Sequence, residues 1–332
     1  MIGTRLAKRL STAIQTRWYG RRPVWPLVPL ALIFAVIVSI RREAYRRGWL
    51  RVYRLERPVL IVGNITVGGS GKTPLTLALL ERARGLGIRV GVVSRGYGGA
   101  SEYYPLFVDA ETAPSMAGDE PSLIARRSGV PVVVDPDRVR AAQSLIDKEP
   151  IDLIVADDGL QHYRLGRDGE IAVVDTRRGY GNGWLLPAGP LREPSTRVDQ
   201  VDLVCANGSN ADFWLVPAWV YNLCDGRSCA LAEFVDTPVH AVAGIGEPAR
   251  FFDMLRDARL KIIEHTRADH HRYTHDELCF DDGRAVLMTE KDAVKCQHFD
   301  NERLWAVSVD TCLSAECAER VDRLLQRLIN RG

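Results

Sequence analysis

The run Thr66-Val67-Gly68-Gly69-Ser70-Gly71-Lys72-Thr73 has the residue types of a loop that wraps a phosphate chain. Glycines let consecutive backbone N–H groups turn toward one anion without Cβ clashes. A lysine at the end of such a loop reaches the β- and γ-phosphates of a nucleotide, and the hydroxyl after it binds Mg2+. Here these are Lys72 and Thr73. Thr66 stands where the usual pattern has glycine, a departure confined to the loop's edge. Farther along, Asp157-Asp158-Gly159 offers two carboxylates, either able to hold the metal or its water. A D-D-G string also serves as an ordinary turn with no metal.

These groups need rigid supports. Val59–Val62 is a β-branched run ending at Gly63, and Leu75, Leu77, Ala78, Leu79 and Leu80 follow the loop at helical spacing. Pro74 falls in the first turn, where its missing N–H costs little. Strand, glycine loop and helix in this order set the positive end of a helix against the phosphates. Ile151–Ala156 is a second apolar strand that delivers Asp157 and Asp158 at its C-terminal end, the edge of a parallel sheet where ligands bind. Arg95 follows a third strand, over 89–93, at the same kind of edge, and is a candidate substrate contact.

Strands and helices alternate along the rest of the chain. The expected fold is α/β: a P-loop NTPase-like parallel sheet sandwich, a smaller second α/β domain and an N-terminal membrane-associated helix. The expected divisions are 1–57 for the basic, apolar anchor, 58–212 for the P-loop domain and 213–236 for a two-stranded hairpin link turning at Asp225-Gly226. Residues 237–332 form the smaller domain, closed by a helix over about 314–330 with Cys317, Val321, Leu324, Leu325 and Leu328 on one face.

Charge is uneven. Residues 1–57 hold 13 Lys and Arg against 2 acids, so the rest of a chain of net charge +2 is acidic. Pro23–Ile40 carries no charge, and arginines flank it on both sides. As a helix these 18 residues reach about 27 Å, just under a hydrocarbon core of about 30 Å. Pro26 and Pro29 argue against continuous helix before Leu30. The reading is a monotopic anchor on a lipid surface, with Trp18, Tyr19, Trp25, Tyr45 and Trp49 as interfacial aromatics. The apolar run argues against a nucleic-acid partner. Seven cysteines, an odd number with no C-x-x-C pair, suit a reducing compartment.

Further strings accompany the P-loop: Ser94-Arg95-Gly96-Tyr97-Gly98-Gly99, Gly118-Asp119-Glu120-Pro121, Asp157-Asp158-Gly159-Leu160-Gln161-His162, Gly181-Asn182-Gly183 and Leu186-Pro187-Ala188-Gly189-Pro190-Leu191-Arg192-Glu193-Pro194. Val242-Ala243-Gly244-Ile245-Gly246, Asp269-His270-His271 and Thr289-Glu290-Lys291-Asp292-Ala293-Val294-Lys295 follow. In this order, from about residue 18 to about 300, they resemble the tetraacyldisaccharide 4′-kinase family, the lipid A 4′-kinases of Gram-negative bacteria. The resemblance implies ATP and Mg2+ as cofactors and transfer of the γ-phosphate to the 4′-hydroxyl of a lipid A disaccharide precursor. It implies work at the cytoplasmic face of the inner membrane, with no protein partner required. It also implies that Asp119 is the base for the sugar hydroxyl and that His270 is its partner; Glu120, beside Asp119, is a further candidate for the metal shell. Gln161, His162 and Arg192 are further candidate substrate contacts. Lys291 and Lys295 either face the nucleotide or lie on a solvated helix face.

On the linear division above, Asp119 and His270 fall in different domains, so the pair is expected to form on domain closure. Read from the residues alone, Gly118-Asp119-Glu120-Pro121 is a helix start with Asp119 as cap. His271, His275 and Cys279, spaced i, i+4 and i+8, are a second candidate metal face, for zinc. A membrane-associated P-loop switch that hydrolyses nucleotide for a protein partner is the competing function.

Overall fold

The computed structural model describes residues 14–330; Arg5, Lys8 and Arg9 of the basic N-terminal segment lie outside the described residues. In chain order the main elements are α1 (Val28–Arg46), β1 (Val59–Gly63), α2 (Lys72–Gly85), β2 (Val90–Ser94), β3 (Leu106–Val108), α3 (Pro114–Ala117), α4 (Asp119–Ser128), β4 (Val132–Val134), α5 (Arg138–Lys148), β5 (Leu153–Asp157), β6 (Gly169–Asp175), β7 (Leu203–Asn207), β8 (Phe213–Asn222), β9 (Ser228–Cys229), β10 (Val239–Ala243), α6 (Pro248–Asp257), β11 (Ile262–Thr266), β12 (Val286–Thr289), α7 (Glu290–Ala293), β13 (Leu304–Leu313) and α8 (Ala315–Ile329). The pairing is mostly parallel, as the alternation of strands and helices requires.

Contacts divide the chain into two compact units, neither of them continuous in sequence. The first comprises 1–72, 156–213 and 314–332; the second comprises 73–155 and 214–313. This differs from the linear division expected, because parallel strands pair with neighbours far along the chain.

In the first unit, β1 and β7 flank β6 in parallel. The five residues of β1 are all buried, as a β-branched run covered on both faces should be. The amphipathic α8 belongs here: Cys317, Val321, Leu324, Leu325 and Leu328 are buried, and the Ser314 hydroxyl caps its start by accepting from Cys317 N at 3.2 Å. Helix α1 runs farther than the sequence suggests at both ends. Pro29 sits in its first turn, where it is tolerated, and the helix continues past Ile40 through Arg41 and Arg42. Its buried residues are Ala31 and Ala44, while Leu30, Leu32, Ile33, Val36, Ile37 and Ile40 are exposed.

In the second unit, β11, β10, β12 and β13 pair in parallel, in that order. Separately, β2 pairs parallel with β4, and β3 adds to β4 antiparallel. The expected hairpin is shorter than its sequence pattern: β8 pairs with two residues of β9, and Leu231–Phe234 is a 3-10 turn. Leu231 and Phe234 there bury into the core beside Phe251, Phe252, Leu255 and Trp305.

A charged joint ties α4 to α7. Arg127 Nη1 donates to both oxygens of Glu290, at 2.9 and 2.8 Å, and to the Ser308 hydroxyl, while Nη2 donates to Asp310 at 2.9 Å. The guanidinium also lies over Trp219. Burial holds the Glu290 carboxyl above its ordinary range even with Arg127 beside it. Removing one partner of such a pair strands the other. Arg127→Met is therefore expected to cost about 3 kcal/mol, read as a lowered urea midpoint. Arg127→Lys should recover part of that loss, because an ammonium cannot fork across three acceptors. An unchanged midpoint for Arg127→Met would show that the joint does not hold the helices.

Candidate active site

The phosphate loop is built within the first unit up to Lys72, and α2 continues from it. Ser70 and Lys72 are buried, and Thr66, Val67 and Gly68 are half-buried. Gly69 is exposed, and Gly71 and Thr73 are half-buried. Gly71 adopts φ +93°, and a Cβ there would stand 2.3 Å from Asn207 Nδ2. Only glycine satisfies both constraints.

Side chains outside the loop hold it. Asn64 Nδ2 donates to Ser70 Oγ at 3.0 Å, and Asn207 Nδ2, at the end of β7, donates to Ser70 O at 3.1 Å. Tyr19 donates its hydroxyl to Val67 O at 3.2 Å, and Val67 N donates to Pro190 O at 2.9 Å. Trp18 Nε1 donates to Pro187 O at 3.0 Å, so the segment before α1 and the proline loop brace the phosphate loop together. Asn64, Asn207 and Tyr19 were not candidates from sequence. The signal for Asn207, an amide at the C-terminal end of a strand, was visible but not specific.

Asp158 gathers the cations. Lys72 Nζ lies 3.7 Å from its Oδ1, and Arg192 Nη1 lies 3.2 and 3.1 Å from its two oxygens. Arg192 Nη1 also reaches Gln161 Oε1 at 3.4 Å, and Gln161 Nε2 donates to Asn64 O at 3.0 Å. Lys72, Asp158, Gln161 and Arg192 are thus one cluster, two of whose members are cations that a phosphate can share. Asp157 is 1% exposed at the end of β5. His162 is half-buried; its backbone N–H donates to Gly159 O and its carbonyl accepts from Arg167.

Asp158 has φ +45° and His270 has φ +57°, two of the four non-glycine residues with left-handed backbone among the described residues. Such strain persists where the surroundings over-determine a conformation, and it clusters at functional sites.

His270 lies in the second unit, with Asp119. Asp119 is the first residue of α4, after Gly118 as cap, so its carboxylate is not spent on the helix. It is 7% exposed, and its Oδ2 is 3.0 Å from His270 Nδ1. The two therefore share one unit and are in contact, and no movement of one unit against another is needed to form the pair. The glycine strings explain how the backbone makes room. A Cβ at Gly99 would be 2.5 Å from Met116 O and 2.6 Å from Gly118 N, so the loop after β2 presses onto the start of α4. Tyr97 in that loop meets the His270 ring edge-on at 5.1 Å.

The later strings also meet here. Lys295 Nζ donates to Asp292 Oδ1 at 2.7 Å and lies 3.8 Å from Asp119 Oδ2. Asp292 Oδ2 accepts from Gly244 N at 2.8 Å and from the Thr289 hydroxyl at 2.7 Å. Lys291 Nζ contacts Glu120 Oε1 at 3.1 Å. Both lysines therefore serve the carboxylates around Asp119, a placement the sequence left open.

Arg95 is exposed. Glu120, expected in the metal shell, is engaged by Lys291 in the second unit, whereas Asp157 and Asp158 belong to the first. The zinc face does not form as a helix stripe: a 3-10 turn spans Asp276–Leu278, His271 Nε2 pairs with Glu277 at 3.2 Å and His275 Nδ1 with Cys279 Sγ at 3.4 Å. Among the described residues, no group of three or more His, Cys, Asp or Glu side chains is arranged to hold a metal. Mg2+ does not need one, because it keeps waters and takes substrate phosphates with one or two carboxylates.

Residues 23–326 match the family model for tetraacyldisaccharide-1-P 4′-kinase. The chain belongs to that family. A tetraacyldisaccharide 4′-kinase of Stenotrophomonas maltophilia is 48% identical over 326 residues, 92% of this chain and 96% of that one. One from Azotobacter vinelandii is 46% identical over 332 residues, 98% of each chain. Among solved structures, LpxK of Aquifex aeolicus in complex with ATP is similar with a TM-score of 0.77 and 28% identity, over 92% of this chain and 98% of that one.

The loop's packing makes a direct test. Gly71→Ala should lower affinity for a fluorescent nucleotide by tenfold or more, because the new Cβ overlaps the Asn207 amide. Tyr19→Phe should weaken binding by a smaller factor, since one hydrogen bond to the loop is lost. Native affinity in Gly71→Ala would refute the loop as the phosphate site.

Proposed function

We propose that the chain transfers the γ-phosphate of ATP to the 4′-hydroxyl of a tetraacyldisaccharide 1-phosphate, on the cytoplasmic face of the inner membrane. The observation that carries this reading is the buried Asp119 carboxylate against His270, in a chain of this kinase family. A nucleotide-hydrolysing switch accounts for the phosphate loop but leaves that pair without a task.

The residues present fit ATP and Mg2+. The glycine loop can turn backbone N–H groups toward an anion, Lys72 and Arg192 gather positive charge at Asp158, and Thr73, Asp157 and Asp158 are the hard oxygen ligands that Mg2+ favours. Mg2+ on the nucleotide supplies neutralisation of phosphate charge. Lys72 stabilises charge on the transferring phosphoryl group. Arg95, Gln161, His162 and Arg192 orient phosphates and sugar.

Asp119 acts on the acceptor. The O–H bond of the 4′-hydroxyl breaks and its proton goes to Asp119 Oδ1, while Oδ2 stays bonded to His270. The freed oxygen bonds to the γ-phosphorus, and the bond from that phosphorus to the β–γ bridging oxygen breaks, releasing ADP. Both the carboxylate and the imidazole are pre-positioned, so little reorganisation is needed.

Helix α1 brings the enzyme to its lipid. No helix among the described residues is long and apolar enough to cross a membrane. The exposed apolar residues of α1, with Trp25 and Trp49 at 62% and 69% exposure, suit shallow insertion, and the neighbouring arginines suit anionic headgroups.

Purified protein with ATP, Mg2+ and tetraacyldisaccharide 1-phosphate in detergent should yield a lipid heavier by one phosphoryl group, read by mass spectrometry. Lys72→Ala should reduce that product by about 10²–10³-fold. Asp119→Asn should reduce kcat by about 10²–10⁴-fold with a smaller effect on KM. Nucleotide hydrolysis without phosphorylated lipid would favour the switch. For the anchor, Ile33→Asp with Ile37→Asp should move the protein from the pellet to the supernatant when it is sedimented with anionic phospholipid vesicles. Unchanged sedimentation would refute α1 as the contact.

A further inference from the structure

His270 is met on both of its ring nitrogens. Nδ1 is 3.0 Å from Asp119 Oδ2, and Nε2 is 3.5 Å from Lys291 Nζ. Lys291 also reaches Glu120 Oε1 at 3.1 Å and Asp269 Oδ1 at 3.3 Å. Its ammonium thus has three N–H donors and three acceptors around it, with 17% of the side chain exposed.

An ammonium donates and never accepts. A neutral imidazole has one nitrogen of each kind. The nitrogen facing Lys291 must therefore carry the lone pair, and the ring proton must sit on Nδ1, donated to Asp119. Burial pulls Lys291 toward neutrality, but the Glu120 and Asp269 charges outweigh it and hold the ammonium above its ordinary pKa.

We propose that Lys291 is a positioning residue for phosphoryl transfer, one that supports the tautomer of His270 with its proton toward Asp119 and opposes a second proton on Nε2. This rests on Asp119 as the base. With the proton on Nδ1, Asp119 Oδ2 is stabilised as a carboxylate while Oδ1 remains for the hydroxyl proton. With the proton on Nε2, a bare nitrogen would face the carboxylate and repel it. With both nitrogens protonated, an imidazolium would hold Asp119 in an ion pair and weaken it as a base.

The charges around the ring come from three directions. Asp119 and Glu120 face it from α4 and Asp269 from its own loop, and all three favour a second proton. Lys291 in α7 and Lys295 just beyond it oppose one, Lys295 with its charge shared by Asp292. Tyr97 covers the ring edge from the loop after β2. Among the described residues, Lys291 is the cation in contact with Nε2.

The test uses the full chain in detergent, labelled with ¹⁵N histidine, with the His270 signals identified by their loss in His270→Gln. Two-bond ¹⁵N–¹H correlations near neutral pH should show the wild-type ring protonated on Nδ1; a ring protonated on Nε2 overturns the proposal whatever the variants do. In Lys291→Met the Nδ1 proton should stay toward Asp119 and the ring should move toward the doubly protonated form. The acid limb of the kcat/KM profile should then shift to higher pH by about one unit, as expected for losing a contact cation. Lys291→Arg, which also only donates, should restore both readouts. Wild-type ring protonation and an unmoved acid limb in Lys291→Met, with Asp119→Asn inactive, would sink the proposal and leave the base intact. A near-native kcat in Asp119→Asn would overturn the base reading itself and, with it, the role proposed for Lys291.

Discussion

Helix α4 and the short α7 are more than 160 residues apart in sequence, and their ion pairs fix how they meet. Arg127, near the end of α4, clasps Glu290, the first residue of α7. Lys291, the next residue, returns to Glu120 near the start of α4. Acids open α4 and arginines close it, while α7 begins with an acid followed by a base, so turning one helix end for end would set Arg127 against Lys291 and Glu120 against Glu290. Half-buried like charges are costly, so the register is single-valued. Asp119, Lys291 and Lys295 then fall into place around His270, whose own loop contributes strain rather than freedom.

Much of this architecture was legible because it is written locally. The β-branched run of β1, the glycine loop and the apolar helix after it are contiguous, and the run over Ile151–Ala156 leads directly to Asp157 and Asp158. Their periodicities name the elements and their order names the chemistry. The short β3 and α3 were not legible, because three or four residues carry no periodicity. The start of α1 was placed too late, because a proline in a first helical turn reads like a proline that breaks a helix.

What the sequence withheld are the partners. Asn207 and Tyr19 reach the phosphate loop from 137 and 48 residues away. No spacing rule joins an amide at a strand end or a tyrosine among arginines to a distant glycine loop. Asp119 and His270 were legible through the family resemblance, yet their contact was expected to await a movement between domains. Residues 73–155 and 214–313 fall in one unit, which explains the difference, since linear order is a poor guide to neighbourhood in such a fold. Several strings that looked chemical are supports. Gly99 lets a loop press onto α4, Gly244 feeds its N–H to Asp292, and the proline loop braces Val67.

The chain passes between its two units at residues 72/73, 155/156, 213/214 and 313/314. A ribosome working from the N-terminus has therefore made the whole phosphate loop long before it makes Asn207, and the first unit lacks α8 until the final segment emerges. Each unit is therefore completed only after part of the other has been made. The apolar residues of α1 are made early and are still exposed once the described chain has folded, so that face is apolar surface from synthesis onward.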